Sequence, residues 1–421
     1  MKNVYIIGIY ATPAGKYVDL SYKELTKRAY MGALKDAGME NGNDIQICYY
    51  ANTMSYLFAQ YILQGQSFTL PLKNEGLLPQ RVPIFNVEGG CATASIAVHS
   101  AWKDILSGQS EVTMAMGVEK MTHPKGKEHV ATIPGAGQQG TDIEGKDEWR
   151  ALIQKTANDI GYDFLFGPGR NQNMDFYALL GREHMKKYGT TQEHFAHAAS
   201  KNHKNSLGNP RSQYHFDMSV EDVLNDREIS WPLTRSMCAP VGDAGAAAIL
   251  CSEDYFKSLP KSVRERAVKI RASAMAGGAF KRQSQDDRAS AVAISRAYEM
   301  AGVKPSDIDV VELHDATSVA EILIVEDLQL CKPGQGGPYT ASGATKINGD
   351  VTVNASGGLV SRGHPIGATG IMMLNELAIQ LRGEAGQIQV RDVELALAEN
   401  GGGLVGLDVA LCSVIILENA K

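Results

Sequence analysis

The chain has no run of 18 or more continuous apolar residues, so no membrane-spanning helix is expected. It has no basic block, and its formal net charge is −6, which argues against nucleic acid as a main partner. Its six cysteines, at 48, 91, 238, 251, 331 and 412, include no CxxC pair, so neither a zinc ribbon nor a disulfide framework is expected, and no metal site is indicated. The opening MKNVYIIGIYATPAGK reads as a strand, not as the charged head and long apolar stretch of a secretory leader. The closing Asn-Ala-Lys is not a peroxisomal tripeptide. A reducing cytoplasm is the expected compartment. What remains is an ordinary globular composition, 44% apolar and 21% charged, long enough at 421 residues for one large core or two smaller ones.

The chain repeats itself. An apolar strand over 4–10 leads into a helix containing Arg28-Ala29-Tyr30, then Ala37-Gly38, Asp44-Ile45 and a second strand. A strand over 268–274 leads likewise into Arg296-Ala297-Tyr298, Ala301-Gly302, Asp307-Ile308 and a second strand. Asn86-Val87-Glu88-Gly89-Gly90 then matches Asn354-Ala355-Ser356-Gly357-Gly358, each entering a helix that ends at Gly108 or Gly383. The second span is seven residues longer (354 to 383 against 86 to 108), and the excess falls around GHPIG (363–367). Alternating strands and helices predict an α/β fold with parallel pairing and helical crossovers. Duplication predicts two similar halves about a pseudo-twofold, with the site beyond the strand C-termini. Residues 1–121 and 233–265 then form the first half and 266–421 the second. The non-repeating 122–232 between them, with glycine-rich pieces at 133–145 and 167–173, reads as an inserted loop domain over the site.

Cys91 lies in VEGGCATAS (87–95), where a short strand turns into a helix. Free N–H groups and the positive dipole end at a helix N-terminus favour a thiolate there. Spacing alone leaves two readings, a nucleophile or a small buried filler. His364 sits in NASGGLVSRGHPIGATG (354–370), a loop whose glycine density suggests close backbone approach. His314 ends a strand in VELHDATS (311–318). Each histidine alone reads as structural, but the repeat sets Cys91 and the GHPIG loop at equivalent turns of the two halves, facing one another. A thiolate beside a histidine attacks acyl groups, and further donors stabilise the oxyanion that forms. The glycine run ENGGGLVG (399–406) can bring a backbone N–H to the same point. Acyl transfer through a thioester is the reaction class these groups allow.

At these motifs the chain resembles the thiolase superfamily over nearly its full length. The match rests on Cys91 with MAMGVEKMTHP (114–124), on HDAT (314–317), on GHPIGATG (363–370) and on the terminal glycine cluster. The stretch YALLGREHMKKYGTTQEHFAHAASKNHKNSLGNP (177–210) is similar to the loop domain of the sterol carrier protein x-type and archaeal thiolases. A resemblance to benzoylsuccinyl-CoA thiolase subunits rests on no motif that singles out that acyl group. The superfamily resemblance implies a dimeric, five-layered αβαβα fold, coenzyme A as co-substrate and no bound cofactor. It implies Cys91 as nucleophile, His364 as its activator and an oxyanion donor, and His314 as a second enolate-oxygen donor. It also implies the backbone N–H groups of Cys91 and Gly402 as a second oxyanion hole. Two departures stand out: the C-terminal CxG place reads Asn400-Gly401-Gly402, and the third position of the HDCF motif is Ala316. Neither usual acid/base cysteine is therefore present, and Cys412 in ALCSVIIL reads as core. Some thiolases of this branch pair with a small zinc-ribbon/OB-fold acyl-CoA-binding protein, so such a partner is implied here. Related steroid-pathway aldolases also do so but lack the cysteine, and Cys91 argues against them. A condensing enzyme of the ketoacyl synthase type, or a non-catalytic acyl-CoA scaffold, stays open as an alternative.

Overall fold

The architecture below is that of a computed structural model, which describes residues 2–133, 144–164, 166–167, 170–281 and 287–420. Most of the glycine-rich piece at 133–145, and two residues of that at 167–173, lie outside the described residues. In chain order the strands are β1 (Val4–Ala11), β2 (Ile47–Ala51), β3 (Ile84–Val87), β4 (Val112–Glu119), β5 (Glu228–Ser230), β6 (Leu233–Thr234), β7 (Ala244–Ser252), β8 (Val268–Gly277), β9 (Val310–Glu312), β10 (Thr352–Val353), β11 (Leu395–Gly402) and β12 (Leu411–Asn419). The central strands read as continuous apolar runs because both sheet faces are covered. All eight residues of β4 are buried, and β7, rich in alanine, is buried over eight of its nine.

The duplication is written in the strand order. The first half runs β1-β7-β4-β2-β3 and the second β8-β12-β11-β9-β10. Directions agree pair by pair: β1 with β7 and β8 with β12 are antiparallel, β2 with β4 and β9 with β11 parallel. The halves join edge to edge where Tyr5 pairs with Lys269 and Ile6 with Val268. The matched helices also end alike, with Gly108 at φ 81° and Gly383 at φ 71°, a left-handed turn that suits glycine.

Helices Thr93–Ser107 and Thr369–Leu381 form the middle layer, packed on each other and between the two sheets; Ala97, Val98, Met373 and Leu374 share one core with Ile6, Leu250 and Ala396. The outer face of the first sheet carries helix Tyr22–Asp36, started by a reciprocal Ser21/Glu24 cap. The outer face of the second carries helix Ala289–Ala301. The layers therefore run helix, sheet, helix, sheet, helix. Helices Gln172–Tyr188 and Gln192–Ser206 lie over the second half, where Phe195 and Ala199 pack on Val319 and Ile322. Lys201 is buried there, paired with Glu321 at 2.9 Å and donating to the Val353 carbonyl at 2.6 Å. All six cysteines are free. Among the described residues no helix is long and apolar enough to cross a membrane.

Leu374 is fully buried in the middle layer, which both sheets pack against. Leu374→Ala should lower the unfolding free energy by about 2–5 kcal/mol, read as a shift in denaturation midpoint, because the sheets cannot collapse into the void.

Candidate active site

Cys91 occupies a single 3₁₀ turn, Gly90–Ala92, directly before helix Thr93–Ser107. The Thr93 hydroxyl fixes the turn, accepting from the Gly89 N–H at 2.9 Å and donating to the Gly90 carbonyl at 2.5 Å. Gly90 has φ 58°, and a Cβ on it would stand 2.4 Å from the Gly403 nitrogen. A Cβ on Gly402 would stand 2.1 Å from the Gly89 oxygen and 2.4 Å from the Ala92 nitrogen. Two glycine-rich backbones, one from each half, thus touch with no room for a methyl group.

His364 Nε2 lies 3.1 Å from Cys91 Sγ, and its Nδ1 lies 2.8 Å from Thr369 Oγ1. The Thr369 hydroxyl donates its one proton to the Pro365 carbonyl at 3.0 Å, so it accepts from Nδ1–H. That assigns the tautomer: the Nε2 lone pair faces the thiol. Burial, with Glu119 and Glu88 nearby, pushes the Cys91 thiol up to about 12. Burial, then His314 and Arg362, holds His364 well below the ordinary imidazole range. Burial therefore favours the neutral thiol and the neutral imidazole, and it opposes the thiolate that the helix end favours.

His314 follows β9, its ring 5.1 Å from that of His364 at an interplanar angle of 67°. Ligand atoms of Cys91, His314 and His364 all lie within 4.8 Å of one another. Such a set could also suit a metal ion, but here the Nε2 lone pair faces the thiol proton, the geometry of an acid–base pair with a second imidazole beside it. Burial lowers His314 to about 4, so it is neutral near pH 7. Its Nε2 is buried without a hydrogen-bond partner among the described residues. Cys91, His314, His364 and Gly402 all line one cavity of about 190 Å³, walled by Tyr177 and Met174 from helix Gln172–Tyr188.

Two buried carboxyls that lie inside the quoted motifs, but were given no role there, hold this site. Glu119, at the end of β4, accepts from the Thr53 and Met54 N–H groups at 3.1 and 3.0 Å, from Asn52 Nδ2 at 2.9 Å and from the Gly367 N–H at 2.9 Å. It clamps the GHPIG loop of the second half to a loop of the first. Glu399, on β11, accepts the His314 backbone N–H at 3.1 Å. The available signal was a charge inside an otherwise apolar strand, GVEK and LALAEN. Asn400, which stands at the CxG place, points to the middle layer and accepts from Ser95 Oγ at 2.9 Å.

The Thiolase, N-terminal domain family matches residues 4–222, and the Thiolase C-terminal domain-like family matches 278–417. The chain belongs to the thiolase family. An acetyl-CoA acetyltransferase of Methanothermobacter thermautotrophicus is 36% identical over 410 residues, 96% of this chain and 98% of that one. Human sterol carrier protein 2 is 35% identical over 422 residues, 96% of this chain and 71% of that one. In fold, this thiolase is similar to the Ltp2-ChsH2(DUF35) aldolase (TM-score 0.77, 21% identity, 100% and 98% of the two chains). It is also similar to human mitochondrial 3-ketoacyl-CoA thiolase in complex with CoA (TM-score 0.67, 15% identity, 99% and 98%). This thiolase is an acyltransferase.

Gly402→Ala tests the glycine contact. The methyl group must push the Cys91 turn away from His364, and a displacement near 1 Å should cost roughly 10²-fold in kcat/KM with the fold retained. Circular dichroism checks the fold and steady-state kinetics the loss.

Proposed function

We propose that this thiolase transfers an acyl group between a 3-oxoacyl-CoA and coenzyme A through a thioester on Cys91. The observation that carries the reading is the 3.1 Å contact between the Cys91 thiol and the unprotonated Nε2 of His364 on the wall of a cavity. Nε2 takes the thiol proton as sulfur attacks the 3-keto carbon. The oxyanion accepts from the backbone N–H groups of Cys91 and Gly402. The C2–C3 bond breaks, the acyl group stays on Cys91, and the electron pair becomes an enolate whose oxygen is held by His314 and protonated His364. Coenzyme A then takes the acyl group. The reverse sequence is a Claisen condensation with the same groups. The names of the acetyl-CoA acetyltransferase and the CoA-bound thiolase support acyl-CoA as the substrate class.

The division into 1–121 with 233–265, 122–232 and 266–421 fits this reading, because the central piece supplies Met174 and Tyr177 to the cavity. We also propose a homodimer through β3, which among the described residues pairs with no strand but β2 and carries Phe85, 52% exposed. Sedimentation should give twice the chain mass, and Phe85→Lys should give single chains. The name of the Ltp2-ChsH2(DUF35) aldolase, which joins two components, supports our proposal that a small partner protein binds this chain, and the zinc-ribbon/OB-fold kind is the one the family resemblance implies.

Cys91→Ala should abolish acyl transfer and the labelling of the protein by radioactive acyl-CoA, a loss of several orders of magnitude. Turnover at a near-normal rate would refute the thioester. Mass spectrometry of Cys91 after incubation with a panel of acyl-CoAs should identify the transferred group.

A further inference from the structure

Cleaving a C–C bond next to a thioester moves more protons than Cys91 and His364 exchange between themselves. The enolate carbon must gain one and the incoming thiol must lose one. Behind His314 lies a second cavity, about 60 Å³, which shares Tyr177, His314 and Val409 with the first. Glu399 lines it from β11. One carboxyl oxygen accepts the His314 backbone N–H and the other the Cys412 thiol, each at 3.1 Å. Gly401 lies two residues further along the same strand face. A Cβ on it would stand 3.7 Å from both Glu399 Oε1 and His314 Nδ1, and 3.2 Å from Val409 Cγ1. The space above Gly401 is bounded by Val409 on one side and flanked by a carboxyl and an imidazole, and the cavity it belongs to has room for a water.

We infer that Glu399 holds the proton exchanged in the enolate half of the reaction and passes it through a water above Gly401. This rests on the thioester reading. The protonated carboxyl gives its proton to the water, which passes one of its own to the enolate carbon as the C–H bond forms, leaving a carboxylate. Through the same water that carboxylate takes the proton of the coenzyme A thiol as its sulfur attacks the acyl group on Cys91. Cys91 leaves as thiolate and recovers its own proton from His364, so every group returns to its starting state. Glu399 acts at one remove from the reacting atoms and is a positioning residue.

The surroundings fit such a role. Burial pushes the Glu399 carboxyl up to about 7. The charged and titratable groups around it are His314, Cys412, Tyr177, Asp327, Asp408 and Arg288. Asp327 is bound by Arg288 and Ser290, and Asp408 by the Ala279 and Ala289 N–H groups. Burial and Glu399 hold the Cys412 thiol well above its ordinary value, so it stays a donor, and burial pushes Tyr177 up as well. His314 is already neutral near pH 7.

Glu399→Gln should cut kcat for thiolysis by roughly 10²–10⁴-fold. It should abolish exchange of the C2 protons of acetyl-CoA with D₂O and remove the inflection near pH 7 from the rate profile, while iodoacetamide still alkylates Cys91. Glu399→Asp should keep an inflection at reduced rate. Cys412→Ala removes a donor that favours the carboxylate, so it should move the inflection to higher pH. Wild-type C2 exchange and pH profile in Glu399→Gln, or an unmoved inflection in Cys412→Ala, overturns the assignment. Those outcomes leave Cys91 labelling intact, whereas failure of the thioester reading would show as persistent transfer in Cys91→Ala.

Discussion

Where Gly402 meets the Gly89 carbonyl, two backbones touch with no space for a side chain, and the geometry of the site follows from that contact. It sets the depth to which the second half enters the first. That depth places the 363–367 loop so that His364 reaches Cys91. The middle layer makes the approach possible. Helices Thr93–Ser107 and Thr369–Leu381 begin at equivalent turns, pack on each other, and carry a cysteine before one and a histidine before the other. An ancestral symmetry has thus become a chemical asymmetry: nucleophile from one half, base from its counterpart.

The electrostatics run opposite to a simple helix-dipole argument. A buried ion pair of thiolate and imidazolium would have to recover the desolvation of both ions from one contact. The surroundings offer little help, since Glu88 and Glu119 oppose the thiolate and Arg362 and His314 oppose the imidazolium. Burial therefore favours the neutral pair. Charge develops only as the substrate carbonyl accepts electrons, where the backbone N–H groups and His314 can meet it. A resting thiol of this kind is also less open to stray oxidation than a thiolate.

The sequence made the repeat legible because glycines, helix ends and apolar strands recur in a fixed order, and the strand order reproduces it half by half. Cys91 and His364 were legible because glycine density beside a reactive side chain signals close backbone approach. His314 was legible mainly through its motif. Glu119 and Glu399 were not, because their partners come from distant segments: Glu399 meets an N–H 85 residues away and Glu119 one 248 residues away. Nothing local to either strand specifies those partners. The burial that opposes a thiolate at Cys91 was hidden for a related reason, since the helix end is local and visible while burial is a property of the whole fold.

The two glutamates also show how a structural carboxyl differs from a chemical one in the same setting. They lie on corresponding strands, β4 and β11, and burial raises each to about 7. A carboxylate offers about four acceptor positions. Glu119 accepts from Tyr22, Asn52, Thr53, Met54 and Gly367, which fills those positions. A proton gained there would take an acceptor position from the clamp between the halves. Glu399 accepts from His314 and Cys412, and a cavity that reaches His314 lies against it. It can change its protonation state without releasing the backbone that holds His314. The same buried group serves as a fastener where its acceptors are filled and as a proton store where they are not.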